Sequence, residues 1–401
     1  MKRRTVRWGL TVSQGNTEPW NGRRAGGWNG WSMLPPVRPL RLPLLLLVVL
    51  VGAPLVACGE SSPPPASPPP PPPSATVPPP PPVASSAPVE PPPPAPPPAK
   101  PMAELQLAAL KAGAAALDAH DAVRYAEIFT PNVLHKEASA PDVHGRREVV
   151  WRTQLLFDAF PDFKFAFDRV WLKDHIAVAT WRWTGTDRGG FLQKKATNRP
   201  AGIAGVAVGF FNADGQVRQI HLYEDGQNVV AQLDPAAKPG SFRAPPARPD
   251  EQNAALEVFA SKGHPDEAKT LEIARALYDA IEAKKEADSA ALFADDAVVE
   301  DMASAPKPGK GPAAWKALLK GWTQTFGAFT ELPLYNLMAI GDTFVVERVL
   351  KGTMAGKPTS LHAIDIVETK GGKITRFTSF SNGLELVAQT KGAPKGPPTK
   401  R

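Results

Sequence analysis

Residues 163–186, FKFAFDRVWLKDHIAVATWRWTGT, are rich in β-branched and aromatic residues and predict two strands. Lys173 and Asp174 lie between them and are typical of a tight hairpin turn. Two further strands are predicted at 203–212 and 216–225. Ahead of this meander the sequence predicts three helices, at 104–117, 121–129 and 146–160. It also predicts one short strand, at 133–137. Helices followed by antiparallel strands indicate an α+β domain.

The same order recurs later in the chain. Gly215 and Gln232 have counterparts in Gly372 and Gln389, each 157 positions further on, and helices are again predicted before strands. We therefore expect two copies of one domain, at residues 102–234 and 266–390. A linker at 235–265, with a short helix near 251–261, joins them, and residues 391–401 form a loose tail.

Upstream of the first copy, Cys58 is the only cysteine of the chain. It follows an apolar run at 44–51 with Arg38 and Arg41 in front, which is the order of a secretory signal. Leu-Val-Ala-Cys at 55–58 resembles the lipobox of bacterial lipoproteins. The resemblance implies that residues 1–57 are a cleaved signal region, with Met33 as an alternative start.

The resemblance further implies lipid on Cys58, and hence a membrane-anchored protein of the cell envelope. Gly59 after the cysteine fits sorting to the outer membrane, with the protein facing the periplasm or the surface. The alternative is a membrane-spanning helix. The whole apolar stretch, at 42–57, has about 16 residues, fewer than the roughly 20 that a span requires.

The net charge of +7 is concentrated in this signal region, where eight Lys or Arg stand against one acid. The remaining chain has 38 basic and 38 acidic residues, so nucleic acid is not an expected partner. Residues 58–101 hold 23 prolines and favour polyproline II. This segment is interpreted as a tether; a ligand for proline-binding modules is the alternative.

Family-like features occur in a fixed order in the first copy: Phe129, His135, Gly145, Phe160-Pro161-Asp162, Gly185-Thr186, Asn198-Arg199-Pro200, Asp214-Gly215, Asp225 and Gln232-Leu233. This pattern resembles the SnoaL-like branch of the nuclear transport factor 2-like superfamily. The resemblance implies two cone-shaped domains, each a curved antiparallel sheet wrapped on three helices with a pocket between them.

Alternation along the last strand puts Gln219, His221, Tyr223 and Asp225 on one face. The resemblance implies that this face lines the cone and that Asp225 is a general acid/base, working without metal or cofactor. His221 and Tyr223 would orient the substrate. The alternatives are that Asp225 caps the following backbone and that His221 is only a hydrogen-bonded pocket residue.

The predicted ligand pocket also includes His135, Trp181 and Trp183, although tryptophans in such positions are more often part of the core. In the second copy the offset of 157 adds Thr378, Phe380 and Asn382 to the pocket. Asn382 replaces the acid, and an amide does not exchange protons near neutral pH. The seven histidines show no spacing for zinc, so neither a metal site nor a cofactor is expected.

These features support two functional hypotheses. The first is a non-enzymatic, lipid-anchored protein whose domains bind a small apolar ligand or a protein partner. The second is a cofactor-free cyclase, isomerase or hydrolase that uses Asp225. Either is compatible with the two copies packing on each other as an intramolecular pseudo-dimer in a monomeric chain.

Overall fold

The computed structural model describes residues 101–138, 140–238, 240–249, 255–303, 307–326, 332–354 and 356–391. The predicted signal region, the lipidated Cys58, the proline-rich tether and nearly all of the tail lie outside these ranges. The helix predicted at 251–261 lies partly outside them.

The three helices predicted in the first copy, at 104–117, 121–129 and 146–160, are formed within a few residues of their expected positions. Eight α-helices are found in the described ranges. They are α1 (Met102–Asp118), α2 (Ala122–Ala126), α3 (Arg146–Ala159), α4 (Gly226–Leu233), α5 (Pro265–Glu282), α6 (Glu286–Ala290), α7 (Gly311–Phe326) and α8 (Gly383–Lys391). None of the helices in the described part of the chain combines the length and apolarity needed to span a membrane.

The first domain contains a curved seven-stranded sheet with the order β2-β1-β6-β5-β4-β3-β7. Its strands are β1 (Phe129–Glu137), β2 (Val143–His144), β3 (Lys164–Lys173), β4 (Ile176–Thr186), β5 (Pro200–Phe211), β6 (Val217–Glu224) and β7 (Glu257–Ala260). The sheet is mixed rather than wholly antiparallel, because β1 pairs with β6, and β7 with β3, in parallel.

The second domain contains a six-stranded sheet with the order β10-β11-β12-β13-β8-β9. Its strands are β8 (Phe293–Asp301), β9 (Gly309–Lys310), β10 (Leu334–Ile340), β11 (Thr343–Met354), β12 (Lys357–Lys370) and β13 (Lys373–Ser381). β8 pairs with β13 in parallel, as β1 does with β6, so the two domains share one topology.

The linker departs from its prediction. Instead of a helix, residues Glu257–Ala260 form β7, which extends the first sheet beyond β3. The Nε atom of Arg169 lies 3.2 Å from Oε2 of Glu257, and the amide of Ser261 donates to the carbonyl of Leu172 at 2.9 Å. The exposed edge of β3 therefore determines the structure of the linker.

Each sheet packs one face on the helices of its own domain, and this face is called the inner face below. The inner core of the first domain includes Phe129, Phe160 and Trp183, and that of the second includes Trp315 and Phe377. The outer faces of the two sheets pack on each other in a third core: Trp171, Val178, Val206, Val208, Phe210 and Tyr223 from the first domain and Met338, Ile340, Val345, Ile364, Ile366 and Phe380 from the second.

A register shift in β6 decides which side chains reach the inner face. Val217 pairs with Phe211 and Gln219 pairs with Phe210, so Arg218 is an extra residue between them. A bulge of this kind reverses the phase of the alternation that follows. Val217, Ile220 and Leu222 consequently face the inner core, whereas Tyr223 belongs to the core between the domains.

Candidate functional site

Gln219, His221 and Tyr223 do not line the cone, so the prediction for these three residues is wrong. The hydroxyl of Tyr223 donates to Oε1 of Glu347 in the second domain at 2.6 Å, and Nδ1 of His221 lies 2.6 Å from the same oxygen. Nε2 of Gln219 lies 2.6 Å from Nε2 of His221. The three side chains form a polar network between the domains.

Within this network the carboxyl of Glu347 is the group that carries a charge. Burial opposes the charge of Glu347, but His221 and the hydrogen bonds from His221, Tyr223 and Asn336 outweigh it and hold its pKa below the ordinary value. Burial, together with the Glu347 charge, raises the pKa of Tyr223 well above its usual range. The phenol is therefore a fixed donor to a carboxylate.

Asp225 also lies outside the cone, where it acts as the N-cap of α4. Its Oδ1 atom accepts from the amides of Gln227 at 3.2 Å and of Gly383, in the second domain, at 3.0 Å. Asp225 is only 7% exposed, and this burial raises the pKa of its carboxyl to about 6. Asp225 therefore caps the backbone that follows it, which was the alternative to a catalytic role.

A cavity of about 190 Å³ adjoins Asp225, in the junction of the two domains and the linker. The lining residues are Gly202, Ile203, Ala204, Asp225, Asn228, Arg243, Ala244, Pro246 and Met302. Asp225 thus adjoins a cavity between the domains and does not line the cone of its own domain, where it was predicted.

A different polar set faces the cone of the first domain. His135 pairs in register with Ile220 and Glu137 with Leu222, so both share the inner face, and alternation adds Glu224. Nη1 of Arg152, on α3, lies 3.6 Å from Oε2 of Glu137, and both side chains are 20% exposed. His135, Glu137, Arg152 and Glu224 are named the cone cluster.

The environment of the cone cluster keeps Glu224 and His135 neutral. Burial, and next the charge of Glu137, raise the pKa of Glu224 to about 8, against the attraction of Arg152. Burial, and next the charge of Arg152, lower the pKa of His135 to about 3. Both ring nitrogens of His135 are buried and find no hydrogen-bond partner among the described residues.

Sequence reasoning found His135 in this cluster but missed Glu137, Arg152 and Glu224. The alternation of side chains along β6 was predicted, but the set of residues assigned to the inner face was the wrong one. A bulge at Arg218 leaves no signature in a single sequence, since Arg fits either face of an exposed strand end.

Trp181 and Trp183 are core residues, 4% and 5% exposed. A Cβ atom on Gly205 would lie 2.3 Å from Cζ2 of Trp181, so the indole lies directly on that glycine. Gly205 pairs in register with Trp181 on one side and with Glu224 on the other. The same ring therefore also provides an apolar wall near the Glu224 carboxyl.

In the second domain the predicted residues again lie outside the cone. Phe380 belongs to the core between the domains, and Thr378 pairs with Ile366 of that core. Oδ1 of Asn382 accepts from the amide of Leu384 at 3.1 Å, at the start of α8. A second ligand pocket built from these three residues is therefore not formed.

The cone of the second domain holds a buried ion pair instead. The pairing registers make Arg348 the counterpart of Trp181, Val299 of His135 and Ser381 of Glu224. Arg348 donates from Nε and Nη2 to Asp365 at 2.5 and 3.0 Å, and its guanidinium lies 4.4 Å from the Trp322 ring centre. The cone cluster is thus specific to the first domain.

Within the described ranges, no group of three or more His, Cys, Asp or Glu side chains is arranged to hold a metal ion.

Comparisons with known proteins match both domains. Residues 108–233 match the family model of SnoaL-like polyketide cyclases, and residues 274–377 match that of the SnoaL-like domain. No curated protein matches the chain.

Solved structures similar to the chain include a putative SnoaL-like polyketide cyclase from Jannaschia sp. CCS1, with 20% identity over 35% of this chain and 97% of that one, at a TM-score of 0.32. Another is AclR, a putative hydroxylase from Streptomyces galilaeus, with 20% identity over 33% and 96% at 0.30. An M. tuberculosis LEH-like epoxide hydrolase has 18% identity over 31% and 91% at 0.28. The two family matches show that the chain carries two SnoaL-like domains in tandem, at residues 108–233 and 274–377.

Proposed function

We propose that this is a lipid-anchored envelope protein whose first domain binds a small, largely apolar molecule at the cone cluster without transforming it. The observation that carries the proposal is the imidazole of His135, whose two ring nitrogens are buried without partners. A buried donor or acceptor left unpaired costs about 1–3 kcal/mol. A ligand that pairs with this ring recovers that free energy.

The chemistry of the cluster defines the ligand. A neutral imidazole has one N–H and one acceptor nitrogen, so it suits a hydroxyl or carbonyl group. The protonated carboxyl of Glu224 is a second donor, and Trp181 supports an apolar body. One polar group on an apolar framework meets these requirements.

The second domain is proposed to support the first rather than to bind a ligand. Its cone is occupied by the Arg348–Asp365 pair, and its outer face covers the outer face of the first sheet. This pairing supports an intramolecular pseudo-dimer and a monomeric chain, which light scattering of the purified protein tests.

Anchoring is proposed to occur through a lipid on Cys58, with the proline-rich segment as tether and the outer membrane as destination. Metabolic labelling with a fatty-acid analogue tests this directly. Label is expected on the wild-type chain and absent from Cys58→Ser, and label that persists on this variant contradicts the proposal.

A second candidate function is cofactor-free proton transfer, as in a cyclase, isomerase or hydrolase. It is favoured by the raised pKa of Glu224, which leaves the carboxyl able to gain or lose a proton near neutral pH. In this candidate Glu224, not Asp225, is the general acid/base. Glu224→Gln would retain the ligand but abolish its conversion.

The decisive experiment identifies small molecules that co-purify with the full-length chain by mass spectrometry. His135→Leu removes the unpaired nitrogens, and Val299→Leu is a matched control because it places the same residue at the equivalent position of the second domain. We expect an apolar molecule with wild type and Val299→Leu, and at least a tenfold loss with His135→Leu. Equal recovery from all three, or no enriched molecule in wild type, overturns the proposal.

A further inference from the structure

We infer that the cavity beside Asp225, between the two domains, is a binding site for a small organic cation: a protonated amine with a short alkyl chain. This site is separate from the cone cluster, because Asp225 lies outside the cone and the lining comes from β5, α4, the linker and Met302.

The size and lining of the cavity suit such a molecule. Its volume is about 190 Å³, and a water molecule occupies about 30 Å³ in the liquid, so there is room for roughly six heavy atoms. Ile203, Ala204, Ala244, Pro246 and Met302 supply an apolar wall for an alkyl chain. This composition, apolar with few polar groups, is typical of ligand pockets.

The charges around the cavity favour a cation. Asp225 has no basic side chain paired with it among the described residues, and the hydrogen bonds from Gln227 and Gly383 both end on Oδ1. Arg243 is the one basic residue in the lining, and its Nη1 donates to Glu300 at 2.7 Å. Asp301 is close enough to oppose ionisation of Asp225. The charge of Arg243 is thus compensated by Glu300, whereas the carboxyl of Asp225 has no basic partner in the described part of the chain.

An anionic ligand would be repelled by the uncompensated carboxylate of Asp225. A metal ion would lack ligands, since only Asp225 brings a carboxyl into the lining. An ammonium group needs only one carboxylate and leaves its alkyl chain for the apolar wall. Desolvation strengthens that ion pair relative to bulk water.

The cavity is also preorganised, because the linker is held in place. The amide of Arg243 donates to Oδ1 of Asn228 at 2.9 Å, and its carbonyl accepts from Nδ2 of Asn228 at 3.1 Å and Nε2 of Gln232 at 2.9 Å. A fixed wall reduces the entropy lost on binding.

Calorimetric titration of the purified full-length chain with propylammonium, and with propan-1-ol as a neutral molecule of equal size, tests the inference. Asp225→Asn removes the charge but retains an acceptor for Gln227 and Gly383. Ala204→Leu fills the cavity and leaves Asp225 unchanged. Asp296→Asn, at an exposed position, is the control for a lost charge.

We expect propylammonium to bind wild type and Asp296→Asn equally, and at least tenfold more weakly to Asp225→Asn and Ala204→Leu. Propan-1-ol should bind wild type at least tenfold more weakly than the amine. The inference is overturned if Asp225→Asn binds the amine as wild type does, if the alcohol binds as well as the amine, or if the amine does not bind. None of these outcomes affects the cone site, where His135→Leu is the test.

Discussion

The carboxyl of Asp225 in the first domain accepts a hydrogen bond of 3.0 Å from the amide of Gly383 in the second. Gly383 is the first residue of α8, and the same carboxyl caps α4. Two helix N-termini, each carrying partial positive charge, thus meet at one carboxylate. At the equivalent position, Asn382 caps α8 with an uncharged amide. A second aspartate there would put two like charges together.

The first prediction concerns the pH dependence of stability at Asp225. Its pKa is about 6 when folded and 3.8 ordinarily, so its contribution to stability is complete below 3.8 and is lost as the pH rises through 6. At pH 8 the ionised group costs about 3 kcal/mol. Asp225→Asn is expected to be more stable than wild type at pH 8, with the difference vanishing near pH 4.

Urea unfolding at pH 4, 6 and 8 measures this effect. If wild type is the more stable protein at pH 8, the two amides that donate to Oδ1 must outweigh desolvation, and the predicted sign is wrong.

The second prediction concerns Glu347, which joins the outer faces of the two domains. Glu347→Leu leaves His221, Tyr223 and Asn336 without their shared acceptor. We expect the free energy of unfolding to fall by about 3 kcal/mol or more. Tyr223→Phe removes one bond only and should cost about 1 kcal/mol. A loss of similar size for both variants in denaturant titrations would argue against a shared network.

The third prediction concerns the ion pair in the cone of the second domain. Arg348→Met leaves the carboxylate of Asp365 buried without its cation and should cost about 3–5 kcal/mol. Arg348→Met combined with Asp365→Leu removes both charges and should be markedly more stable than Arg348→Met alone. A double-mutant cycle from urea unfolding measures the coupling, and strict additivity would exclude it.

The fourth prediction concerns the contact of Gly205 with Trp181. Gly205→Ala places a methyl group against the indole, which should cost about 1–3 kcal/mol. Trp181→Phe in the same chain should recover part of this loss. Gly321→Ala, on α7 with open space around it, is the control and should stabilise the helix by about 0.5–1 kcal/mol. If Gly205→Ala leaves the free energy of unfolding unchanged, the prediction is wrong.

Much of the fold follows from local sequence signals. The helix predicted at 146–160 is found at Arg146–Ala159, where Pro161 prevents its continuation. The hairpin between β3 and β4 is formed, with its turn at Asp174 and His175, one residue beyond the predicted Lys173 and Asp174. The offset of 157 correctly identifies Asn382 as the counterpart of Asp225, because β6 and β13 have the same place in their sheets.

The features that the sequence did not predict depend on contacts between residues that are far apart in the chain. The strand β7 exists because β3 offers a free edge, which no local pattern records. The face of β6 depends on one bulged residue, so Glu224 was overlooked in favour of Asp225. The helices α4 and α8 follow their strands without a loop, and only the capping by Asp225 and Asn382 marks where each begins.

The packing of Trp171, Val206 and Phe380 between the two sheets has a further consequence, because both domains belong to one chain. Partners joined in one chain experience a high effective local concentration, so dilution does not separate them. A protein present at only a few copies per cell would retain this assembly, whereas a dimer of separate subunits would dissociate.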